Sequence, residues 1–392
     1  MLRAGVNWSE SGDPFRAGQE AAGKALEALG EKPRLAVAFC TVAYDTTRFL
    51  EGIREAAGDA PLIGSTSFTG VLTPAGFLHA EHGAGTVMLL AGEDMAFGVG
   101  AAAIGEEPEA AGEKAALAAV AQAGKKSHDP VAAFMLVAPP GAEERLIRGI
   151  ERVVGRAPMI GGSAADNTLE GKWQELANGK ALEGSVVVAL IYSPRLVGVG
   201  YSGEFRPTAK RGVITKVRDR RTLAEIDGRK ALEVYAEWRG LPIEDLEGGK
   251  LLVQSIQRPL GIVDVGGGHW WIRHPMNGNA DGTIATGNDL AEGTVVTMME
   301  ATTEELVAAP AMVAGQAVSD VGGEVGAVIM AHCGGRALGL GPDRMGEVAR
   351  GLKQALGDVP FVGYCTFGEQ GFARWTANGA GGLMLSALAI GK

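Results

Sequence analysis

Short apolar runs alternate along this chain with stretches whose apolar residues recur at helical spacing. Residues 35–40 read as a buried strand, and Phe49, Leu50, Ile53 and Ala57 as one face of a helix. Pro61-Leu62-Ile63-Gly64 follows, then a polar stretch, then a second apolar run at 85–90. The same order returns from Val131, with Leu146, Ile147, Ile150 and Val153 on the helix, Pro158-Met159-Ile160-Gly161 after it, and a closing run at 185–190. A third copy runs through residues 325–330, then Val348, Leu352 and Leu356, then Pro360-Phe361-Val362-Gly363, and ends at 383–385. Three matches in the same flanking order point to an architectural repeat. The glycine of each tetrad is read as a strand end, where a loop can turn sharply.

The expected fold is therefore α/β, with mixed sheets built from repeated strand-helix-strand units in two domains. Residues 1–240 hold two copies, about 35–125 and 131–225, and residues 241–392 hold the third, about 325–385. Gly240-Leu241-Pro242 marks the boundary.

Composition and charge add to this. Glycine supplies 60 of 392 residues with no collagen-like period, which calls for tight turns and close backbone approaches. A net charge of −10 argues against nucleic acid or an anionic membrane surface as partner. The basic run from Lys210 to Arg221 alternates with Val213, Ile214 and Val217, as a solvated strand face does. Cys40, Cys333 and Cys365 form no CxxC pair and no disulfide framework, so a cytoplasmic location is expected. No apolar stretch is long enough to span a bilayer.

Few motifs carry chemistry. Gly198-Val199-Gly200-Tyr201-Ser202-Gly203 matches the dinucleotide pattern, but a strand-like run follows it, with no helix to receive a pyrophosphate. His79 and His82 lie between Gly76 and Gly83 in what reads as a surface loop, and no metal-ligand spacing occurs. Aligning the three tetrads puts Thr66, Ser163 and Cys365 two residues past the glycine. Turn chemistry and ligand contact both explain such residues, while no general base recurs beside them. No catalytic residue is assigned; a hydrolase using Ser163 or Cys365 stays open. Arg336 and Glu369 follow buried-type strands of the third copy, suited either to charge recognition or to pairing with each other.

At these residues the chain resembles the FIST family. The resemblance rests on Ile63-Gly64-Ser65-Thr66, Gly161-Gly162-Ser163-Ala164-Ala165-Asp166, Gly203-Glu204-Phe205-Arg206-Pro207 and residues 223–232. It continues through Cys333-Gly334-Gly335-Arg336, Gly363-Tyr364-Cys365-Thr366-Phe367-Gly368-Glu369 and Asn378-Gly379. It implies a sensory module for a small ligand, such as an amino acid or small carboxylate. Haem is implied for some relatives, leaving a haem-based gas sensor as an alternative to a protein without cofactor. Relatives are often fused to signalling outputs; none is expected here, so a separate signalling protein is the implied partner. The candidate ligand-binding set is Ser65, Thr66, Ser163, Asp166, Asn167, Arg206, Arg336, Tyr364, Cys365, Glu369 and Asn378.

Overall fold

The computed structural model describes every residue except 265, 267 and 374–376. Its elements repeat one order three times. Unit one runs β1 (Arg3–Ser9), α1 (Pro14–Leu29), β2 (Leu35–Thr41), α2 (Thr46–Ala57), β3 (Leu62–Ser67), the hairpin β4 (Val71–Thr73) and β5 (Gly76–Leu78), then β6 (Gly85–Ala91). Unit two runs β7 (Ala96–Ala103), α3 (Pro108–Gln122), β8 (Ala133–Ala138), α4 (Glu143–Val154), β9 (Met159–Ser163), the hairpin β10 (Glu175–Ala177) and β11 (Lys180–Leu182), then β12 (Ser185–Tyr192).

Unit three opens with β13 (Val197–Ser202) and is then interrupted by an inserted layer. The insert comprises β14 (Arg206–Arg218), β15 (Thr222–Ile226), β16 (Arg229–Lys230), α5 (Ala231–Arg239), α6 (Lys250–Gln254), β17 (Leu260–Val263), β18 (Trp270–Arg273), β19 (Pro275–Gly278), β20 (Ile284–Thr286) and β21 (Val295–Glu300). Unit three resumes with α7 (Thr303–Val321), β22 (Val325–Cys333), α8 (Gly334–Leu356), β23 (Phe361–Thr366), the hairpin β24 (Glu369–Ala373) and β25 (Ala377–Gly381), and β26 (Leu385–Gly391). The expected mixed α/β repeats are present, and each is longer than the apolar pattern suggested. A leading strand and helix precede each copy. In unit one they stayed hidden because α1 buries Ala17, Ala21, Ala22 and Ala25, which give little apolar contrast.

Each unit makes a mixed sheet and gives its hairpin away. The three strand orders are β1-β6-β2-β3-β10-β11, β7-β12-β8-β9-β24-β25 and β13-β26-β22-β23-β4-β5. Unit one thus borrows from two, two from three, and three from one. Gly64, Gly161 and Gly363 sit at the seam. Each faces its own unit's parallel strand (Ala38, Leu136, Met330) on one side and the borrowed hairpin (Leu176, Gln370, Leu72) on the other. The tetrad glycines are therefore strand interiors, not strand ends. Their role is close approach: a Cβ on Gly64 would lie 1.7 Å from the Ala38 carbonyl oxygen.

The inner faces of the three sheets meet in one apolar core that includes Phe39, Met135, Val187, Ile329, Val362 and Leu388. At its centre Phe39 of unit one stacks on Tyr364 of unit three, centroids 3.9 Å apart. The outer faces are covered by helix pairs, so β2, β6, β12, β22 and β26 are buried along their whole length. Glycine sets the pairing distance of these helices. Gly18 of α1 packs on the Phe49 carbonyl and Gly52 of α2 on that of Phe15, where an added Cβ would come within 2.0 and 1.9 Å. Gly112 and Gly149 do the same in unit two. The apparent dinucleotide glycines have this explanation too: Gly198 and Gly200 lie under α7, against the carbonyls of Ala317 and Val313. As the sequence suggested, a strand follows that motif.

The insert forms its own sheet, β18-β17-β21-β14-β15-β20-β19, with β16 beside β15 and a core around Leu232, Tyr235, Leu246 and Val296. The boundary placed near Gly240 falls within this layer. Hydrogen-bonded sheets cross it, since β13 pairs with β26 and β14 with β21.

Candidate functional site

A cavity of about 360 Å³ opens where the insert meets all three units. Unit one contributes Phe68, just past β3; unit two Gly141, Leu169 and Trp173; unit three Cys333-Gly334-Gly335, Leu338 and Thr366-Phe367-Gly368. The insert closes the opposite side with Arg221, Leu252, His274, Met276 and Thr286-Gly287-Asn288. Cys333 and Thr366 end the parallel strands β22 and β23, the end at which α/β sheets gather ligands. Glycine keeps the wall thin. A Cβ on Gly335 would lie 3.1 Å from Leu383 and 3.2 Å from the His274 ring.

The lining is apolar around a small polar set. Leu169, Met276 and Leu338 remain 52, 37 and 42% exposed at the cavity, an unusual grouping of large apolar side chains in water. Asn288 is 1% exposed, and neither the oxygen nor the nitrogen of its side-chain amide has a hydrogen-bond partner. His274 is held through Nε2 by the Leu252 carbonyl at 2.9 Å, and burial pushes its pKa down to about 4. The ring is neutral at pH 7, with Nε2 donating and Nδ1 left as an acceptor.

The charges at this place are committed. Arg221 donates to Glu143 at 2.7 Å, Glu144 at 2.9 Å, Asp289 at 3.0 Å and the Gly287 carbonyl at 2.8 Å. The end of the basic run is thus an internal hub tying the insert to α4, whereas Lys210, Arg211, Lys216, Arg218 and Arg220 face solvent as expected. Behind Gly368, Ser163 donates to Glu143 Oε1 at 2.9 Å and accepts from Gln370 Nε2 at 3.1 Å. Below Cys333 lies Glu369, fully buried. It accepts from Thr366 at 2.6 Å and from the Met384 N–H at 2.9 Å, and burial pushes its pKa up to about 8.

None of the eleven sequence candidates lines this cavity. Arg336 is fully buried and donates to the carbonyls of Gly203, Leu383 and Leu306 at 2.8, 3.2 and 3.1 Å. It makes no direct pair with Glu369; it fastens α8 to β13 and α7. Tyr364 and Ser65 are buried, with hydroxyls lacking partners. Thr66 binds the backbone of Gln174, and the N–H of Cys365 donates to Ser67. Asp166 accepts from the N–H groups of Thr168, Leu169 and Lys172, shaping the loop that carries Leu169 to the cavity. Asn167 accepts from the Thr69 N–H, Arg206 is an exposed partner of Glu305, and Asn378 donates to Glu151 and Ala157.

Three of the candidates, Arg336, Cys365 and Glu369, lie one residue from the wall; for Cys365 beside Thr366 the reason is that strand residues alternate faces. The stretches 333–336 and 363–369 do reach the site, through Cys333, Gly334, Gly335, Thr366, Phe367 and Gly368. The insert's contribution went unread. Its signal was the polar turn Thr286-Gly287-Asn288-Asp289 directly after a strand. Among the described residues no group of three His, Cys, Asp or Glu could hold a metal, and no helix is long and apolar enough to cross a membrane.

Comparison with known proteins gives three results. An uncharacterised protein of Methanocaldococcus jannaschii is 25% identical over 169 residues, 40% of this chain and 32% of that relative's length. A cyanuric acid hydrolase from A. caulinodans aligns over 100% of both chains at 10% identity and a TM-score of 0.38. A Thermotoga maritima PurL complexed with ADP aligns over 99% of this chain and 72% of its own, at 11% identity and a TM-score of 0.26. The FIST N domain model matches residues 34–229 and the FIST C domain model residues 231–372, so the chain belongs to the FIST family.

Proposed function

We propose that this protein is a sensory ligand-binding protein, and that its ligand occupies the cavity between the insert and the three units. The observation that carries this reading is Asn288. A buried amide with both atoms unpaired costs stability, and a ligand that pairs it would recover that cost. A ligand there would touch every unit and the insert together, so its binding would bias how the insert sits on the core. That bias would be read by a separate signalling partner.

We further propose that the protein is not an enzyme and works in the cytoplasm. Ser163 has a carboxylate beside it, but Glu143 is occupied by Arg221 and the hydroxyl lies behind Gly368. Cys365 is fully buried, and burial raises its thiol pKa far above the usual value, leaving a poor nucleophile. Three buried free cysteines suit a reducing compartment. Haem is not the ligand we propose. Its propionates would need free cations, and the cavity's Arg221 is surrounded by three carboxylates. Of the conceivable axial donors, the Cys333 thiol is raised well above its usual pKa by burial, and the His274 ring offers Nδ1 while Nε2 is held by the Leu252 carbonyl.

A thermal-shift screen of metabolites against wild type and Leu338→Trp, which narrows the cavity mouth, tests the binding reading. Ligands should raise the midpoint of the wild type alone. Equal shifts in both proteins would place binding elsewhere.

A further inference from the structure

The cavity's chemistry narrows the class of its ligand. An anionic ligand needs an unengaged cation or free N–H groups at a helix N-terminus, and an ammonium needs an unengaged carboxylate. Among the described residues the cavity has no such cation or carboxylate, and the N–H groups of Gly335 and Arg336 at the start of α8 face the Cys333 sulfur. The cavity's one charged lining residue, Arg221, donates to three carboxylates, and of these Glu143 is 1% exposed and shared with Ser163. Thr286 is spent on the carbonyls of Arg221 and Asn288, and Thr366 on Glu369. What remains unpaired is the Asn288 amide, a donor and an acceptor side by side, with the free acceptor Nδ1 of His274 in the same lining. Across the cavity from the amide stand Phe68, Trp173, Phe367 and the exposed Leu169 and Leu338, with the exposed Met276 on its own side. The volume, about 360 Å³, lies near the small end of the roughly 300–1,000 Å³ typical of ligand sites.

We infer that the ligand is an uncharged molecule with a ring-sized apolar body and one amide-type edge, a donor beside an acceptor, that pairs with Asn288. Carboxamides, lactams and ureides have this edge; free amino acids and carboxylates do not. The inference rests on the cavity being the binding site.

Three probes of matched shape separate the classes: benzamide, benzoate and benzylamine, titrated by calorimetry into wild type, Asn288→Leu and Leu338→Trp. The side-chain amide resonance of Asn288, assigned by its loss in Asn288→Leu, reports contact directly. Benzamide should bind wild type about tenfold or more tighter than either charged probe, as one net hydrogen bond supplies, and should shift that resonance. Its affinity should fall about as much in Asn288→Leu. Benzoate or benzylamine binding as tightly as benzamide, with binding lost in Leu338→Trp, would overturn the ligand class and leave the cavity in place. Benzamide binding that neither variant weakens would overturn the cavity itself. No saturable binding by benzamide would overturn the inference as well.

Discussion

The Ser163 hydroxyl donates to Glu143 Oε1 at 2.9 Å, and the other oxygen of that carboxylate accepts from Arg221 of the insert at 2.7 Å. A serine in one unit is thus connected through a buried carboxylate to an arginine in the insert. Serine beside a carboxylate resembles half of a hydrolytic centre, but the carboxylate's second oxygen is held by the arginine. Ser163→Ala should lower stability by about 1–3 kcal/mol, measured by urea unfolding, because Glu143 and Gln370 each lose a partner. A fluorophosphonate should fail to label the wild type. Labelling that disappears in Ser163→Ala would establish the hydrolase.

Arg221→Leu should cost more, about 3–5 kcal/mol, because it strands Glu143 in the interior. Adding Glu143→Gln should restore part of the loss by removing the stranded charge. Unfolding curves of both variants decide this, and an equal loss in each would mean that Arg221 acts through packing alone.

Stability should peak at about pH 6–6.5 and fall on both sides. Burial pushes Glu369 up to about 8 and Glu175 up to about 7, against an ordinary 4.5. Their protonated forms hold full stability below the ordinary value, and it is lost as pH rises through the raised one. His274 and His269 are pushed down to about 4 and His332 to about 3, from 6.5, all chiefly by burial. Unfolded rings take up protons that the folded ones refuse, so stability also falls as pH drops below 6.5. Glu369→Gln should flatten the alkaline decline above pH 7, where Glu175 has largely finished. A wild-type curve already flat from pH 6.5 to 8.5 would show Glu369 ionised in the fold.

Two glycines of α1 should respond oppositely. Gly18→Ala drives a Cβ to 2.0 Å from the Phe49 carbonyl and should destabilise by about 1–3 kcal/mol or more. At Gly23 the nearest atom would be 3.9 Å away, so alanine should be neutral or stabilise by up to about 1 kcal/mol. Thermal melts of the two variants test whether helix contact sets the glycine content.

Asn288→Leu should raise the stability of the ligand-free protein by about 1 kcal/mol, since it removes an unpaired buried amide. A loss above about 1 kcal/mol in urea unfolding would mean that the amide has a structural partner.

The repeat was legible because the closing runs at 85–90 and 185–190 are apolar throughout most of their length, as strands covered on both faces must be; the third, read at 383–385, proves to be β26, Leu385–Gly391. The repeat's leading parts were written in another form. Pro14 with Gly18 and Pro108 with Gly112 open two equivalent helices at the same spacing, and Gly98-Val99-Gly100 matches Gly198-Val199-Gly200 under the helices that cover them. Those glycines carry the signal of close packing that apolar counting discards. The cavity was harder to read because six of its lining residues are glycines and Asn288 comes from a layer with no counterpart in the other units. Charge was misleading for a physical reason: Arg336 and Glu369 stand out in sequence, yet both are spent on interior carbonyls, hydroxyl and N–H groups.

The ring of lent hairpins also bears on how the chain is made. Residues 71–78 leave the ribosome well before the strand edge they cover, at Gly363 and Tyr364, has been translated. During synthesis the first hairpin waits for its acceptor while nearly three hundred residues are added, a count set by the separation of Leu72 and Gly363. The nascent chain therefore carries an unsatisfied sheet edge until unit three is made, the condition under which strands pair with the wrong neighbour. Translation of unit three, more than the completion of either earlier unit, is the event that closes this ring.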